Sequence, residues 1–323
     1  MGRKVLVTGG AGFIGSHIVD AYLAAGDEVT VIDDLSTGRR ANLPAAASFV
    51  EADVRSERAR QAIATGGFAL VNHHAAQIDV RRSVADPVFD ASVNLLGLLN
   101  VLQGALVGGV RRVIFASSGG TVYGEASAPP LHETLPKFPA SPYGTAKLAA
   151  EYYLAAFARL HGREVAALRY SNVYGPRQDG RGEAGVVAIF ARQVMAGDPL
   201  TVFGDGEQTR DMVFVHDVAA ANMAASDAAL PAVTDLDACA FNIGTGVETS
   251  VNQLARAIIL AGGAGGAGGA RGPEPSVQYA AARAGELRRN ALAVEKAARV
   301  LGWRPLTSLP EGVRLTMSAM TED

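Results

Sequence analysis

Short apolar runs alternate with helical patterns through the first half of the chain, and this alternation restricts the fold more than any other feature. The runs KVLVTG, EVTVID and RRVIFASS are rich in Val and Ile and lack the alternating polar residues of a half-exposed strand. Strands of this kind are buried on both faces, as in a parallel sheet that helices cover on each side. The sequence therefore predicts an α/β fold built on a doubly wound parallel sheet.

Composition excludes several classes of function. With 19% charged residues and a formal net charge of -3, the chain has neither a basic face for nucleic acid nor a polybasic patch for a membrane surface. We find no apolar stretch long enough for a membrane span or a signal-peptide core. The single cysteine, Cys239, rules out an intramolecular disulfide and lies beside an apolar run typical of a buried strand. We therefore expect a cytoplasmic protein that lacks a reactive thiol and binds neither nucleic acid nor membrane.

A glycine-rich loop joins the first strand to the first helix in VLVTGGAGFIGSHIVDAYLAAGDEV. Gly9, Gly12 and Gly15 allow a tight turn, a close approach of the backbone to a phosphate and close packing of the helix on the strand. The next strand ends in Asp33, about 20 residues beyond the loop, where a carboxylate binds the adenosine ribose of a dinucleotide. This carboxylate repels a 2′-phosphate, so the pattern favours NAD over NADP. Arg39 and Arg40 follow closely and are the one feature that speaks for NADP.

The domain organisation follows from a change in this pattern after the sixth predicted strand, where strands and helices no longer alternate regularly. A chain of 323 residues is long enough for a cofactor domain and a smaller second region. We expect residues 1–168 to form an NAD-binding Rossmann domain, with 213–240 returning to it. Residues 169–212 and 241–323 are expected to form a smaller C-terminal substrate-binding domain.

The glycine spacing Gly-x-x-Gly-x-x-Gly and the fingerprint TGGAGFIG at Thr8–Gly15 resemble the extended short-chain dehydrogenases/reductases. The resemblance implies that Asp53 and Val54 border the adenine and that Asn94 steadies the sheet end that carries the catalytic loop. The cofactor-binding residues implied in this way are Gly9, Gly12, Phe13, Ile14, Gly15, Asp33, Asp34, Leu35, Thr37, Gly38, Asp53, Val54, Ala75, Ala76, Gln77, Asn94, Tyr143, Lys147 and Tyr170.

A second motif lies at the start of the helix predicted within PASPYGTAKLAAEYYLAAFARLHG. Ser141 suits the N-cap, Pro142 suits the first helical position, and Gly162 suits the C-terminal end. Tyr143 and Lys147 then lie four residues apart on one helix face. A phenol with an ordinary pKa of about 10 is a poor base at neutral pH, but an adjacent ammonium and a positively charged nicotinamide favour the phenolate. We therefore predict Tyr143 as the catalytic base and Lys147 as the group that holds the cofactor ribose and lowers the pKa of the tyrosine.

The run VIFASSGGTVYG corresponds to the loop that carries the catalytic hydroxyl in the family that the chain resembles. Most sugar-nucleotide 4-epimerases have S-S-S-A-T-V-Y-G here, and the usual third serine falls on Gly119. Because glycine has no side-chain donor, we predict Ser118 as the catalytic hydroxyl and Thr121 as the second choice. Ser117 is expected to bond to backbone. Gly119 and Gly120 also stand where the related 4,6-dehydratases carry an Asp-Glu pair, which argues against dehydration.

The second half of the chain holds the substrate site that the resemblance implies. Two arginines suit a diphosphate because the planar guanidinium matches the phosphate oxygens. The predicted substrate-binding residues are Ser118, Tyr143, Asn172, Val186, Val187, Thr201, Phe203, Arg210, Arg283 and Glu286. Asn290 stands where some 4-epimerases carry a bulky tyrosine, and we hypothesise that N-acetylhexosamine nucleotides are therefore accepted as well. The histidines lack the spacing of metal ligands, so no metal site is predicted.

The resemblance covers nearly the whole chain and implies an NAD-dependent nucleotide-sugar 4-epimerase. The expected reaction interconverts UDP-glucose and UDP-galactose through a 4-keto intermediate. Three alternatives stay open: a UDP-glucuronate 4-epimerase, another UDP-sugar-modifying member of the family such as a decarboxylase or net dehydrogenase, and a non-catalytic NAD-sensing protein. Members of the family commonly dimerise through helices such as those predicted at 88–108 and 143–160, so a homodimer is expected.

Overall fold

The architecture was obtained as a computed structural model that describes residues 2–125, 128–179, 185–263, 275–282 and 287–322. The strands are β1 (Lys4–Thr8), β2 (Glu28–Asp33), β3 (Ser48–Glu51), β4 (Leu70–His73), β5 (Arg112–Ser118), β6 (Glu164–Tyr170), β7 (Asn172–Tyr174), β8 (Leu200–Phe203), β9 (Thr209–Arg210), β10 (Met212–Phe214), β11 (Ala240–Ile243), β12 (Thr249–Ser250) and β13 (Val277–Ala280). The α-helices are α1 (Phe13–Ala24), α2 (Glu57–Thr65), α3 (Val80–Ala85), α4 (Pro87–Ala91), α5 (Gly97–Val107), α6 (Pro142–His161), α7 (Val186–Ala196), α8 (Val215–Asp227), α9 (Val251–Gly263), α10 (Glu295–Val300) and α11 (Leu309–Glu322).

Seven strands of the described chain form one parallel sheet in the order β11-β6-β5-β4-β1-β2-β3. The chain winds outward from β1 to β3 and then crosses back to β4 on the other side of β1. The strand order therefore reverses between β1 and β4, and ligands of such sheets bind beyond the carboxyl ends of the strands at this point. The predicted fold class, a doubly wound Rossmann sheet, is confirmed.

Both faces of the sheet are buried, which explains why its strands lack a polar alternation. Along β1, Val5 and Val7 belong to one apolar cluster and Leu6 to another on the opposite face. The first cluster includes side chains of α1 and α8, and the second includes side chains of α2, α5 and α6. Two helical layers thus hold the sheet rigidly and fix the positions of the loops at its carboxyl edge.

A smaller region lies beside this sheet. It has its own apolar cluster, to which α7, α9, β8 and α11 contribute. Its strands pair two by two, as β10 with β7, β12 with β9 and β13 with β8. The segment predicted to return to the first domain contains α8, which packs against α1, and it ends where β11 begins. Since β11 runs to Ile243 beside β6, the predicted division at 240/241 falls inside a strand of the main sheet.

The helix predicted at 88–108 is a continuous helical stretch in which a π turn, Ser92–Leu96, joins α4 to α5. Turns of this kind are rare and often lie at functional sites. Within the described ranges, Pro87–Val107 alone is long and apolar enough to cross a bilayer, and 44% of its most apolar window is buried in the protein. An interior helix of a globular domain has the same properties.

Candidate active site

The glycine loop follows β1 at the carboxyl edge of the sheet. Gly9 has φ +68°, and a Cβ on it would lie 2.5 Å from the Ala75 backbone nitrogen. A Cβ on Gly15 would lie 2.2 Å from the Gly9 carbonyl oxygen. Gly12 caps α1 without a side-chain hydrogen bond, so the first amides of the helix remain available to an anion. The loop can have no side chains at these positions, and it has the form of a phosphate cradle.

Asp33 is fixed at the end of β2 by two backbone amides. Its Oδ2 accepts a hydrogen bond from the Ala11 amide at 2.9 Å, and its Oδ1 accepts one from the Leu35 amide at 2.8 Å. Burial raises the pKa of this carboxyl, while the two amides lower it. A Cβ on Gly38 would approach Oδ1 to 2.9 Å, so this glycine leaves room around the carboxylate. The acid predicted to bind the adenosine ribose is therefore positioned before any ligand arrives.

The two arginines whose position in the sequence favours NADP have other partners. Arg39 pairs with Asp179 at 3.5 Å, and the guanidinium of Arg40 stacks 4.7 Å from the centre of the Phe49 ring. In the protein alone, both side chains therefore have partners within the chain.

The remaining residues predicted on the adenine side lie around the ends of β2 and β3. The Asp53 carboxylate binds the Arg55 guanidinium, whose Nη1 donates to Ser92 Oγ at 3.0 Å, and this lowers the pKa of Asp53. Val54 is buried, whereas Asp34 and Thr37 are exposed. Asp53 is thereby connected to the π turn that carries Asn94.

Asn94 holds the segment that follows β4. Its Oδ1 accepts from the Gln77 amide at 3.0 Å, and its Nδ2 donates to the Gln77 carbonyl at 2.9 Å. Ala75 and Ala76, just upstream, are partly exposed at the edge of the glycine loop. Asp90, which the sequence analysis did not identify, accepts hydrogen bonds from both Gln77 and Asn94. The wall predicted to line the cofactor is thus braced by side chains from the helix beside it.

Tyr143 and Lys147 lie on the buried face of α6. The Ser141 hydroxyl accepts from the Gly144 amide at 3.1 Å and caps the helix as predicted. The Lys147 Nζ donates to the Ala116 carbonyl at 2.9 Å and lies 5.8 Å from the centre of the Tyr143 ring. Burial lowers the pKa of Lys147 to about 8. The amine therefore titrates much closer to neutral pH than an exposed lysine does.

The pKa of Tyr143 differs from the expectation that Lys147 lowers it. Burial raises the pKa of Tyr143 to about 12, and the charge of Asp90 also raises it. A hydrogen bond with the Ser118 hydroxyl acts in the opposite direction. In the protein alone, burial outweighs the favourable effect of the Lys147 ammonium, whose Nζ lies 5.8 Å from the centre of the Tyr143 ring. A further positive charge is needed for Tyr143 to ionise at neutral pH.

The loop after β5 brings Ser118 rather than Thr121 to the tyrosine. The Ser118 hydroxyl lies close enough to Tyr143 to lower the pKa of the phenol, whereas the Thr121 hydroxyl is buried without a hydrogen-bond partner among the described residues. At Gly119, a Cβ would lie 2.4 Å from Leu292 Cδ1. A serine at this position would therefore require Leu292 to shift.

A buried ion pair stabilises the loop after β5, and the sequence analysis did not predict it. The Arg169 Nη2 donates to Glu151 Oε2 at 2.6 Å, and the Arg169 Nη1 donates to the Tyr123 hydroxyl at 3.0 Å. The Ser117 hydroxyl also donates to Glu151, so the expectation that it bonds to backbone was wrong. Glu151 lies one helical turn after Lys147, a spacing that would have placed it on the same face.

The residues predicted for the nicotinamide and the substrate lie partly on the main sheet and partly on the smaller region. The Tyr170 hydroxyl is 2.9 Å from His74 Nε2 and accepts from Asn222 Nδ2 at 2.8 Å. Asn172 is exposed at the start of β7. Val186 and Val187 begin α7, and Thr201 and Phe203 are half-buried on β8.

Arg210 is bound to backbone in this structure, since its Nη1 donates to the Thr209 and Leu287 carbonyls at 2.8 Å each. Asn290 is buried, and its side-chain oxygen has no hydrogen-bond partner among the described residues. Arg283 and Glu286 lie outside the described residues.

Metal and thiol chemistry have little support in this part of the molecule. In residues 2–125, 128–179, 185–263, 275–282 and 287–322, no group of three or more His, Cys, Asp or Glu side chains is arranged to hold an ion. Cys239 is buried, and burial raises the pKa of its thiol to about 11. A thiol of this kind is a poor nucleophile at neutral pH.

Comparison with known proteins agrees with this geometry. The family described as "NAD dependent epimerase/dehydratase family" matches residues 5–244. The UDP-glucose 4-epimerase of Mycolicibacterium smegmatis is 44% identical over 319 residues, which cover 97% of each chain. The solved UDP-glucose 4-epimerase of Thermotoga maritima with UDP-glucose is 42% identical, has a TM-score of 0.91 and aligns over 99% of each chain.

The UDP-glucose 4-epimerase of Thermus thermophilus, solved in complex with NAD, is 43% identical with a TM-score of 0.87 and aligns over 98% of this chain and 99% of its own. The family match includes the glycine loop, Asp33 and the Tyr143–Lys147 pair. On these grounds the chain is an NAD-dependent enzyme that belongs to the NAD dependent epimerase/dehydratase family.

Proposed function

We propose that the enzyme interconverts UDP-glucose and UDP-galactose through a 4-keto sugar. The observation that carries this proposal is that Tyr143 and Lys147 share one face of α6, with Lys147 Nζ 5.8 Å from the centre of the Tyr143 ring, and that Ser118 ends β5 at the sheet edge where the glycine loop also lies. Relatives at 44% identity over nearly the whole chain that are named as UDP-glucose 4-epimerases support the choice of substrate.

The residues on the cofactor side fit NAD. The glycine loop leaves no space for side chains where a diphosphate would approach the α1 N-terminus, and Asp33 is positioned for the adenosine ribose. Asp53, Gln77 and Tyr170 would complete the walls. When bound, NAD supplies the site that accepts a hydride from the sugar and returns it, so no net oxidation results.

Tyr143 is proposed to act at the sugar O4. As a phenolate it takes the O4 proton while the C4 hydrogen leaves as hydride, and it returns that proton after the 4-keto sugar has turned its other face to the cofactor. Ser118 shares this proton and keeps the reacting oxygen beside the phenol. Lys147 holds the cofactor ribose, and its charge stabilises the neighbouring phenolate once the phenolate forms.

The nucleotide part of the substrate is assigned to the smaller region. Asn172 and the Val186 and Val187 amides at the start of α7 would bind the diphosphate, since helix N-termini favour anions. Thr201 and Phe203 would contact the uridine. Arg210 would move from its carbonyl partners to the diphosphate, while Arg283 and Glu286 remain assigned by resemblance.

The sugar specificity is proposed to extend to N-acetylhexosamine nucleotides. Asn290 is smaller than the tyrosine of some 4-epimerases, and its side-chain oxygen is buried without a hydrogen-bond partner among the described residues, so it can accept one from a ligand. A UDP-N-acetylglucosamine 4-epimerase from Methanobrevibacter ruminantium M1 shares the fold at 30% identity and a TM-score of 0.89. Dehydration is disfavoured because Gly119 and Gly120 provide no acid.

We also infer a homodimer formed by α4 and α6. Val88 and Leu96 on the first helical stretch and Tyr152 on α6 are exposed at 79%, 57% and 59%, and the two elements pack together. An apolar surface of this kind is typical of an interface. Val88→Glu combined with Tyr152→Glu should give a monomer in light scattering, whereas Leu306→Glu, at another exposed apolar position, should leave the mass unchanged. A dimeric double variant would contradict the inference.

The proposed site of action is the cytoplasm, which suits a buried free thiol and a chain with no possible intramolecular disulfide. Fractionation of the native host with an antibody against the protein should place it in the cytoplasmic fraction. Recovery from a membrane or external fraction would contradict this.

The proposed reaction is tested by incubating the purified enzyme with UDP-glucose, UDP-galactose, UDP-GlcNAc and UDP-glucuronate, without added NAD, and identifying the products by NMR. UDP-glucose and UDP-galactose should each give a mixture of both. Loss of carbon dioxide from UDP-glucuronate, or an oxidised sugar as the main product, would replace the proposal with one of its alternatives.

A further inference from the structure

Asp90 is a buried carboxylate whose contacts the proposed mechanism does not use. It lies in the last turn of α4, immediately before the π turn, and only 1% of its surface is exposed. Its Oδ1 accepts from Gln77 Nε2 at 2.8 Å and from Asn94 Nδ2 at 2.9 Å. A buried carboxylate needs such partners because removal from water costs several kcal/mol if nothing replaces the lost solvation.

These two hydrogen bonds connect α4, the π turn and the segment after β4 at Asp90 Oδ1. Gln77 belongs to the segment after β4, where Asn94 also bonds to its backbone amide and carbonyl. The Gln77 side chain further accepts from the Asp79 amide. A single oxygen of Asp90 therefore fixes the side chains of both residues, and these in turn fix the wall that faces the glycine loop. Loss of that oxygen would leave one N–H of each side-chain amide without an acceptor, while Gln77 Nε2 would keep its bond to the Asp79 carbonyl and Asn94 Nδ2 its bond to the Gln77 carbonyl.

The charge of Asp90 also acts on Lys147. Its charge raises the pKa of Lys147, as does that of Glu151, while burial lowers it. Glu151 is in a buried ion pair with Arg169, whose positive charge offsets it. The second oxygen of Asp90 has no hydrogen-bond partner among the described residues.

The neighbours of Lys147 from other elements contribute little charge. Burial lowers the pKa of His73 and of His74 to about 3, so both imidazoles are neutral at pH 7. The titratable groups that face Lys147 from α4, α6 and the end of β4 are Asp90, Glu151, Tyr143, His73 and His74. Asp90 is the carboxylate in this set whose charge is not already paired with an arginine in the described structure.

We propose that Asp90 is a positioning residue of this active site: through Gln77 and Asn94 it holds the cofactor-facing wall, and across the contact between α4 and α6 its carboxylate is the counter-ion of Lys147. The first role concerns NAD binding and stands independently of the substrate. The second role, as counter-ion, rests on the proposed function, because it is measured through the pH dependence of the reaction.

Two substitutions separate the roles. Asp90→Asn retains an oxygen that accepts both hydrogen bonds but removes the charge, whereas Asp90→Ala removes both. Asp86→Asn is the matched control, since Asp86 is an exposed acid that caps the same helix and asparagine is an equally good cap. The measurements are the dissociation constant for NADH, by fluorescence, and the pH dependence of kcat/KM with UDP-galactose.

Asp90→Ala should weaken NADH binding about tenfold or more, because one N–H of each buried side-chain amide loses its acceptor and the bond that joins Gln77 to α4 is lost. Asp90→Asn should bind NADH within about twofold of the parent, since the bonds persist. Its pH profile should move as a whole to lower pH, because loss of a negative charge lowers the pKa of both Lys147 and Tyr143. Asp86→Asn should change neither quantity.

Parent-like NADH binding by a folded Asp90→Ala variant would overturn the positioning role. An unmoved pH profile for Asp90→Asn would overturn the counter-ion role. If the parent enzyme turned over no UDP-sugar, the proposed function would fail, while the NADH measurements would still decide whether Asp90 holds the wall.

Discussion

The cofactor side and the substrate side of the proposed active site are built differently. On the cofactor side, the loops at the edge of a single parallel sheet are held by contacts to backbone, such as Asp33 to the Ala11 amide and Gly9 against Ala75. On the substrate side, three two-stranded sheets are linked by side chains, and Arg210 is bound to two carbonyl groups. We infer that the cofactor side is preorganised, whereas Arg210 must leave its carbonyl partners to reach the proposed diphosphate.

This contrast has a kinetic consequence. A preorganised site lowers the barrier of the chemical step, so damage to it should appear mainly in kcat. A site whose side chains must exchange partners contributes mostly to ground-state binding, so damage to it should appear mainly in KM. The variants below test whether the two sides separate in this way.

The largest effect is expected for Tyr143→Phe. Without the phenol no group at this position can accept the O4 proton, and kcat should fall by about a thousandfold or more, within the range for loss of a general base. NAD should remain bound because the glycine loop and Asp33 are untouched. Tyr153→Phe, an exposed tyrosine of the same helix, is the control in a coupled assay for UDP-galactose turnover. Activity of Tyr143→Phe within tenfold of the parent would contradict the assignment.

The next effect compares two hydroxyls of one loop. Ser118→Ala should lower kcat about a hundredfold, because Ser118 contacts Tyr143 and shares its proton. Thr121→Ala should cost no more than a fewfold, because the Thr121 hydroxyl has no partner in the described structure. Both are measured as kcat with UDP-galactose, and each variant is the control for the other. A larger loss for Thr121→Ala would reverse the assignment within the loop.

On the substrate side, Arg210→Ala should raise KM for the UDP-sugar about tenfold while changing kcat less, as expected for the loss of a charged diphosphate contact. Arg288→Ala, at an exposed arginine that pairs with Asp205, is the control and should leave KM unchanged. Initial-rate kinetics over a range of UDP-galactose concentrations separate the two constants. A drop in kcat with constant KM would remove the distinction between the two sides.

The smallest effect on activity is expected for Gly119→Ser, which restores the third serine usual in the family. Its Cβ would meet Leu292, so the variant should lose about 1–3 kcal/mol of unfolding free energy in urea, the usual cost of overpacking. Leu292→Ala alone should also destabilise, because it leaves a cavity. Combined with Gly119→Ser, it should cost less than the sum of the two single changes. If the losses of unfolding free energy in the two single variants simply added in the double variant, the contact with Leu292 would not be the reason that a serine is disfavoured at Gly119.

The sequence predicted the cofactor side well because its signals are local. Gly9 to Gly15, Asp33, and the interval between Tyr143 and Lys147 all lie within one strand-loop-helix unit or one helical turn, where spacing fixes geometry. The doubly wound parallel sheet and the cap of α6 at Ser141 were predicted from the same kind of pattern.

The contacts that the sequence did not predict join distant segments. Asp90 bonds to Gln77 in the segment after β4 and to Asn94 in the π turn, whose position no regular helical period indicates. Leu292, which packs against Gly119, comes from the far end of the chain. The direction of the Lys147 ammonium toward Ala116 and the burial that raises the pKa of Tyr143 both depend on how α6 packs on β5.

The central claim is that one bound cofactor takes the C4 hydrogen and returns it to the same sugar. The most direct measurement follows UDP-galactose labelled with deuterium at C4 through many turnovers, with an excess of unlabelled NADH in solution, and locates the label by NMR. The account predicts that the UDP-glucose formed retains the deuterium at C4, because Tyr143 exchanges only the O4 proton. Loss of the label to solvent or to the NADH pool would contradict it.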